Sequence, residues 1–258
     1  MIHNDYIFKV PNELLWDNVE IDRCPYVWEK LYIPYYLNDE FWKTSIYGNA
    51  VKKGDFFFGN CKISGETVFN FDIGKKGNVN QKFEYFYRVL VDSYCGNECT
   101  YYLNKLIECS YNNYSLNNFA LMPCTAGMNN FKGTSKYMSE VNNQKLDRFD
   151  KFIFWLNDFL NSPKRSVDHI IFSCAYGKTS KDRTAEENTR VLKKALFNFL
   201  TNFSNIGEYC KYMYLIEDSD YIDKLIENGQ TPIVSGEDVV RYMELAEEYW
   251  KIKGERIK

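Results

Sequence analysis

Three cations fall within six residues at Lys178, Lys181 and Arg183, in the run Gly177, Lys178, Thr179, Ser180, Lys181, Asp182, Arg183, Thr184. An apolar stretch, Val167 to Cys174, precedes this run, and a helical pattern begins at Ala185. A helix N-terminus presents unpaired N–H groups and the positive end of the helix dipole, which together favour an anion. Lys and Arg beside it would add charge-assisted hydrogen bonds to phosphate oxygens. The chemistry on offer is the binding of a phosphate-bearing ligand, or of a nucleic-acid backbone crossing the loop. A solvated connection between two elements has the same composition. The run is not a P-loop, because the position five residues before Gly177 is Phe172 and the Gly-rich cradle is missing.

A second polar run, Met122 to Thr134, carries Gly127 and Gly133, where a backbone without Cβ can approach a ligand closely. Thr125, Asn129, Asn130 and Lys132 supply hydrogen-bonding groups within it. The candidate ligand-binding set is therefore Thr125, Asn129, Asn130, Lys132, Lys178, Lys181 and Arg183, with Asn129 and Asn130 orienting a polar ligand and the cations meeting phosphate.

Nucleophilic catalysis has less to draw on. The chain has two histidines, His3 and His169, and strand alternation would put His169 and Cys174 on opposite faces. No Gly-x-Ser-x-Gly elbow occurs. Cys95 and Cys99 lack the second ligand pair that structural zinc requires, and Asp147, Asp150, Asp218, Asp220 and Asp223 read as capping or solvent-facing acids before they read as magnesium ligands. No catalytic residue, metal or cofactor is assigned. The leading expectation is a protein that binds a phosphate-containing small molecule or nucleotide. The alternatives are a non-catalytic protein-interaction module with an exposed aromatic patch, and a nucleic-acid-processing enzyme using Lys132, Lys136, Lys145, Arg148, Lys164 and Arg165 interleaved with Phe131 and Tyr137.

Positioning any of these groups requires a folded core. With 258 residues, 45% hydrophobic and 26% charged, the chain reads as one globular domain, with residues 45–80 as a possible β subdomain. Aromatics make up 17% of it, and 26 Asn against 6 Pro suggest compositional bias as much as a binding surface. The net charge of −3 argues against non-specific attraction to polyanions. No stretch approaches the roughly 18 apolar residues of a membrane span, and Met1 to Val10 lacks a signal-peptide layout, so no membrane partner and a cytoplasmic address are expected. The eight dispersed cysteines read as free, buried thiols.

The expected fold is a helix-rich α+β or α/β mixture: a small N-terminal antiparallel sheet and a C-terminal βαβ-like unit. Strands are expected at Asp55 to Phe58 and Thr67 to Ile73, where Phe69, Phe71 and Ile73 alternate with polar residues. Lys82 to Val91 suits helix or strand. Helices are expected at Asn12 to Val19, Cys99 to Cys109 with Leu103, Leu106 and Ile107 on one face, Leu146 to Leu160, Ala185 to Phe203, Asp220 to Glu227 and Glu237 to Trp250. Thr184 with Glu187, and Ser235 with Asp238, can form capping boxes. Val167 to Cys174 and Tyr212 to Ile216 would be the two parallel strands flanking the crossover helix, and Lys253 to Lys258 a frayed tail.

Overall fold

In the computed structural model, the described residues are 7–11, 24–43, 55–58, 61–75, 78–124, 137–141, 144–162, 164–167 and 185–258. The elements are α1 (Pro25–Val27), running into a wide π-helix (Trp28–Leu37) that contains Pro34, then α2 (Glu40–Lys43), β1 (Asp55–Phe58), β2 (Cys61–Thr67), β3 (Gly74–Lys75) and β4 (Asn78–Val79). Next come α3 (Gln81–Ser93), α4 (Gly96–Asn112), a 3-10 turn (Leu116–Asn118), β5 (Phe119–Cys124), β6 (Tyr137–Val141) and β7 (Gln144–Arg148). The C-terminal part holds α5 (Phe149–Asn161), α6 (Ala185–Leu200), α7 (Ile206–Tyr214), α8 (Ser219–Gly229) and α9 (Gly236–Arg256).

The fold is helix-rich, and its small sheets are antiparallel throughout. β2 lies between β1 and β5, while β3–β4 and β6–β7 form separate two-stranded pairs. The expected βαβ unit does not form. Tyr212 to Ile216 is the end of α7 rather than a strand, with Leu215 in the left-handed conformation at φ 60°. A short apolar run cannot distinguish helix from strand by itself. Here Asn205 caps the helix by accepting from the Glu208 N–H at 2.9 Å, and Tyr209, Cys210, Met213 and Tyr214 recur at helical spacing to bury one face. All but Val167 of the partner expected at Val167 to Cys174, the helix expected at Asn12 to Val19 and the Thr184 cap fall outside the described residues.

Other boundaries follow from local chemistry. α3 resolves the Lys82 to Val91 ambiguity as a helix: Asn80 accepts from the Lys82 N–H at 3.0 Å, and Phe83, Phe86 and Leu90 bury one stripe. Residues 146–148 belong to β7, so the expected helix starts at Phe149. In α4, Leu106 is buried but Ile107 is 37% exposed, so these two do not share an inward face. The capping box at α9 is present, with the Asp238 N–H on Ser235 Oγ at 3.3 Å and the Ser235 N–H on Asp238 Oδ2 at 2.9 Å. Gly236 starts the helix where a Cβ would lie 2.3 Å from the Tyr94 ring. The tail is not frayed: α9 continues to Arg256, and Lys253 and Ile257 are buried.

The strand expected over Thr67 to Ile73 ends at Thr67. Beyond it, asparagine side chains replace the strand ladder, since an amide offers the same donor and acceptor as a peptide group. Asn118 Oδ1 accepts from the Phe69 N–H at 2.9 Å and from Trp250 Nε1–H at 3.0 Å. Its Nδ2 donates to Phe69 O at 2.7 Å and Asn113 O at 2.8 Å, and Asn113 Oδ1 accepts from the Phe71 N–H at 2.8 Å. Asn117 ties Phe8 to α9 by accepting from the Phe8 N–H at 2.9 Å and donating to Trp250 O at 2.6 Å. These side chains hold Phe69 and Phe71 in the core, where they touch Phe149, Tyr242, Tyr249, Phe86 and Trp250.

Asn118→Leu removes four partners from buried groups at once. Each buried group left unsatisfied costs about 1–3 kcal/mol, so a loss of at least about 3 kcal/mol is expected in urea unfolding. Asn104→Ala, on the exposed side of α4, should change stability by no more than about 0.5 kcal/mol in the same measurement.

Candidate functional site

The candidate ligand residues Thr125, Asn129, Asn130, Lys132, Lys178, Lys181 and Arg183 all lie outside the described residues. Their supporting elements are described. Cys124, the last residue of β5, pairs with Lys62 at the start of β2, and α6 packs against β2.

Among the described residues, a groove of about 530 Å³ opens between the second half of α8 and the middle of α9. Lys224, Glu227, Asn228 and Thr231 line one side, and Arg241, Glu244, Leu245 and Glu248 the other. Both cations are engaged: Lys224 Nζ is 2.7 Å from Glu248, and Arg241 pairs with Asp238. Burial opposes the charge on Asp238, but the N–H groups of Val234 and Ser235, the Ser235 hydroxyl and Arg241 together hold its carboxyl below the usual range. Three lining carboxylates against two lining cations, both paired, make the groove a poor anion site. Its size is that of a small-molecule pocket, and its charge suits a ligand with a positive group.

The groove's α8 wall stands on a buried ion pair. Arg148, at the end of β7, donates from Nε to Asp150 Oδ1 at 2.9 Å and from Nη2 to Asp150 Oδ2. The same guanidinium donates to Asn228 O at 2.9 Å and Thr231 O at 2.8 Å, at the C-terminal end of α8. Asn228 Nδ2 completes the ring by donating to Asp150 Oδ2 at 2.7 Å. Burial opposes the charge on Arg148, yet the adjacent Asp150 carboxylate raises its pKa. Asp150 is thus committed to a guanidinium, and Arg148, fully buried, is not free to meet nucleic-acid phosphate. Among the described residues no group of three His, Cys, Asp or Glu side chains could hold a metal ion.

Lys253 is the second buried cationic residue. Its Nζ donates to Phe119 O and lies 3.2 Å from Tyr249 Oη and 3.5 Å from Tyr36 Oη. Burial pushes its pKa well below the ordinary lysine value. Lys253 did not stand out in the sequence, and Arg148 did so only as a surface cation for nucleic acid, which its burial rules out. A lone Lys in a charged helix reads as solvated, and only the apolar residues around it, Tyr249, Trp250, Ile252 and Ile257, hinted at an inward position. The Asn112–Asn113 and Asn117–Asn118 pairs were visible but indistinguishable from a general asparagine excess.

Compared with protein-family models, curated proteins and solved structures, the chain matches none. No helix among the described residues is long and apolar enough to cross a membrane.

Two outcomes test the buried charges. Arg148→Met leaves the Asp150 carboxylate without its guanidinium and should cost about 3–5 kcal/mol in urea unfolding, whereas Arg148→Met/Asp150→Leu should recover most of that loss. For Lys253, the unfolded chain holds the amine's proton up to about pH 10.4 while the folded chain releases it far lower. Between those limits the unfolded state binds more protons, so stability rises with pH, by at most about 1.4 kcal/mol per unit. Lys253→Met should lower the slope of unfolding free energy against pH on the acid side of the unfolded lysine's pKa of about 10.4.

Proposed function

We propose that this protein binds a small phosphate-bearing molecule or nucleotide where the Lys178 to Arg183 run meets the start of α6. The observation that supports this reading is the position of α6 itself. It opens at Ala185, directly after the basic run, and packs on the same small sheet from which β5 leads at Cys124 into Thr125 to Lys132. Elements that flank both polar runs therefore meet on β2. A helix of 16 residues supplies the positive end of a helix dipole, which favours an anion, and Lys178, Lys181 and Arg183 supply charge. The α8–α9 groove does not compete for this ligand, because carboxylates outnumber cations in its lining.

Isothermal titration of the full chain with ATP, GTP and inorganic pyrophosphate at low salt tests this. At least one should bind, with affinity falling as salt rises. Lys178→Gln/Lys181→Gln/Arg183→Gln should weaken it at least tenfold, about 1.4 kcal/mol, with the far-ultraviolet circular dichroism unchanged. No heat with any of the three, or unchanged affinity in the triple variant, removes the reading.

A further inference from the structure

Helix α4 meets α9 across a seam that contains one cation and two carboxylates. Leu106, Cys109 and Asn112 of α4 point inward and are buried. Lys105 turns inward beside them, its side chain 17% exposed, with Nζ 3.3 Å from Glu247 and 3.6 Å from Glu244 on α9. Glu247 is the more enclosed of the two acids, at 19% exposure against 58% for Glu244. Its Oε2 faces Lys105. Its Oε1 is closed off from solvent and has no hydrogen-bond partner among the described residues.

A buried acceptor without a donor retains its desolvation cost, and that cost is greatest when the group is charged. The surroundings of Glu247 do little to offset it. Lys105, the one cation of α4, is shared with Glu244, and Glu108 on α4 adds a like charge. Cys109, also facing the seam, is kept neutral by burial, which pushes its thiol well above the ordinary value. Lys251, one turn further along α9, is exposed and forms no ion pair among the described residues. The other elements packed on α9 bring no counter-charge here: Leu116–Asn118 has no titratable side chain, α3 meets α9 nearer its start at Gly236 and Tyr242, and Lys224 of α8 pairs with Glu248. Burial, with Glu244 and Glu108 adding to it and Lys105 opposing, raises the carboxyl of Glu247 above the ordinary glutamate value.

We propose that the α4–α9 seam is a proton-operated clasp, in which Glu247 takes up one proton as the pH falls and α4 then packs more firmly on α9. A protonated Glu247 has no charge to desolvate. Lys105 is not orphaned by the change, because Glu244 still holds it. An opened seam returns Glu247 to water, where a glutamate titrates near pH 4.3, so the closed seam binds the proton more tightly. Its stability therefore falls as pH rises from there through the higher value of the closed state. That slope is opposite to the one expected from Asp238 and Glu217, whose carboxyls are held below the usual range, so the clasp is read at its own site rather than from global unfolding. Glu244 also lines the α8–α9 groove, and the clasp and the groove thus share a carboxylate.

An NMR titration of glutamate Cδ in the 13C-labelled full chain, with Glu247→Gln supplying the assignment, tests the proton site directly. Glu247 should titrate above the ordinary value of about 4.3, and Lys105→Met should move its midpoint further up. Hydrogen exchange then tests the clasp. Glu247→Gln, a neutral side chain of the same shape, should raise the protection factors of α4 amides at least about threefold over the natural chain at pH 7.5 and leave them about equal near pH 4. Titration of Glu247 at or below the ordinary value overturns the proposal, as does a midpoint that Lys105→Met leaves unmoved. So does a Gln variant with no added protection at pH 7.5, or with the same gain at both pH values, since the amide would then merely pack better.

Discussion

A helix that ends inside a protein leaves carbonyl groups without partners, and in water-free surroundings they must be satisfied by something else. α7 ends this way, and α8, whose end is partly exposed, also takes a donor from a buried side chain; these solutions organise much of the molecule. At α7, Trp42 Nε1–H donates to Tyr212 O at 3.3 Å and Tyr36 Oη–H to Met213 O at 3.1 Å, while Tyr249 Oη–H makes a longer contact of 3.5 Å with Tyr214 O. At α8, the Arg148 guanidinium serves Asn228 O and Thr231 O. Each donor comes from a different part of the chain. The N-terminal π-helix, α2, α9 and the β7–α5 junction are thereby joined to the C-terminal helices by hydrogen bonds as well as by packing.

The aromatic richness follows the same logic. A buried tyrosine contributes a large apolar ring and one donor, so it can fill the core and close a carbonyl at once. Tyr85 and Tyr221 repeat the arrangement on Ile233 O and Leu245 O, each at 2.8 Å. Burial raises the phenol pKa of Tyr36, Tyr221 and Tyr249, which keeps these hydroxyls protonated and able to donate. Lys253 fits beside them because desolvation favours its neutral amine, which can still donate to Phe119 O.

Charge is distributed unevenly around this core. The α8–α9 groove holds more carboxylates than cations, and the outward side of α4 exposes only acids. The basic run ahead of α6 has the opposite sign.

Local chemistry made several elements legible in advance. The Ser235–Asp238 capping box marks α9, and the helical spacing of Phe149, Ile153, Leu156 and Leu160 marks α5, because both signals lie within a few residues of chain. Helix onset at Ala185 was likewise readable. The misreadings have one origin. Tyr212 to Ile216 and Thr67 to Ile73 each have an apolar pattern compatible with a strand; distant Asn113, Asn118 and Trp250 settled the second, while the Asn205 cap and helical spacing upstream settled the first, with Tyr36 and Tyr249 closing its carbonyls. Which of 26 asparagines are structural, and that Arg148 and Lys253 point inward, depends on partners tens to hundreds of positions away. Sequence determined the helix stripes, their caps and the sign of local charge, which are short-range properties. Tertiary structure alone decided which polar groups are buried, because desolvation and hydrogen-bond satisfaction depend on the segments that fold against them.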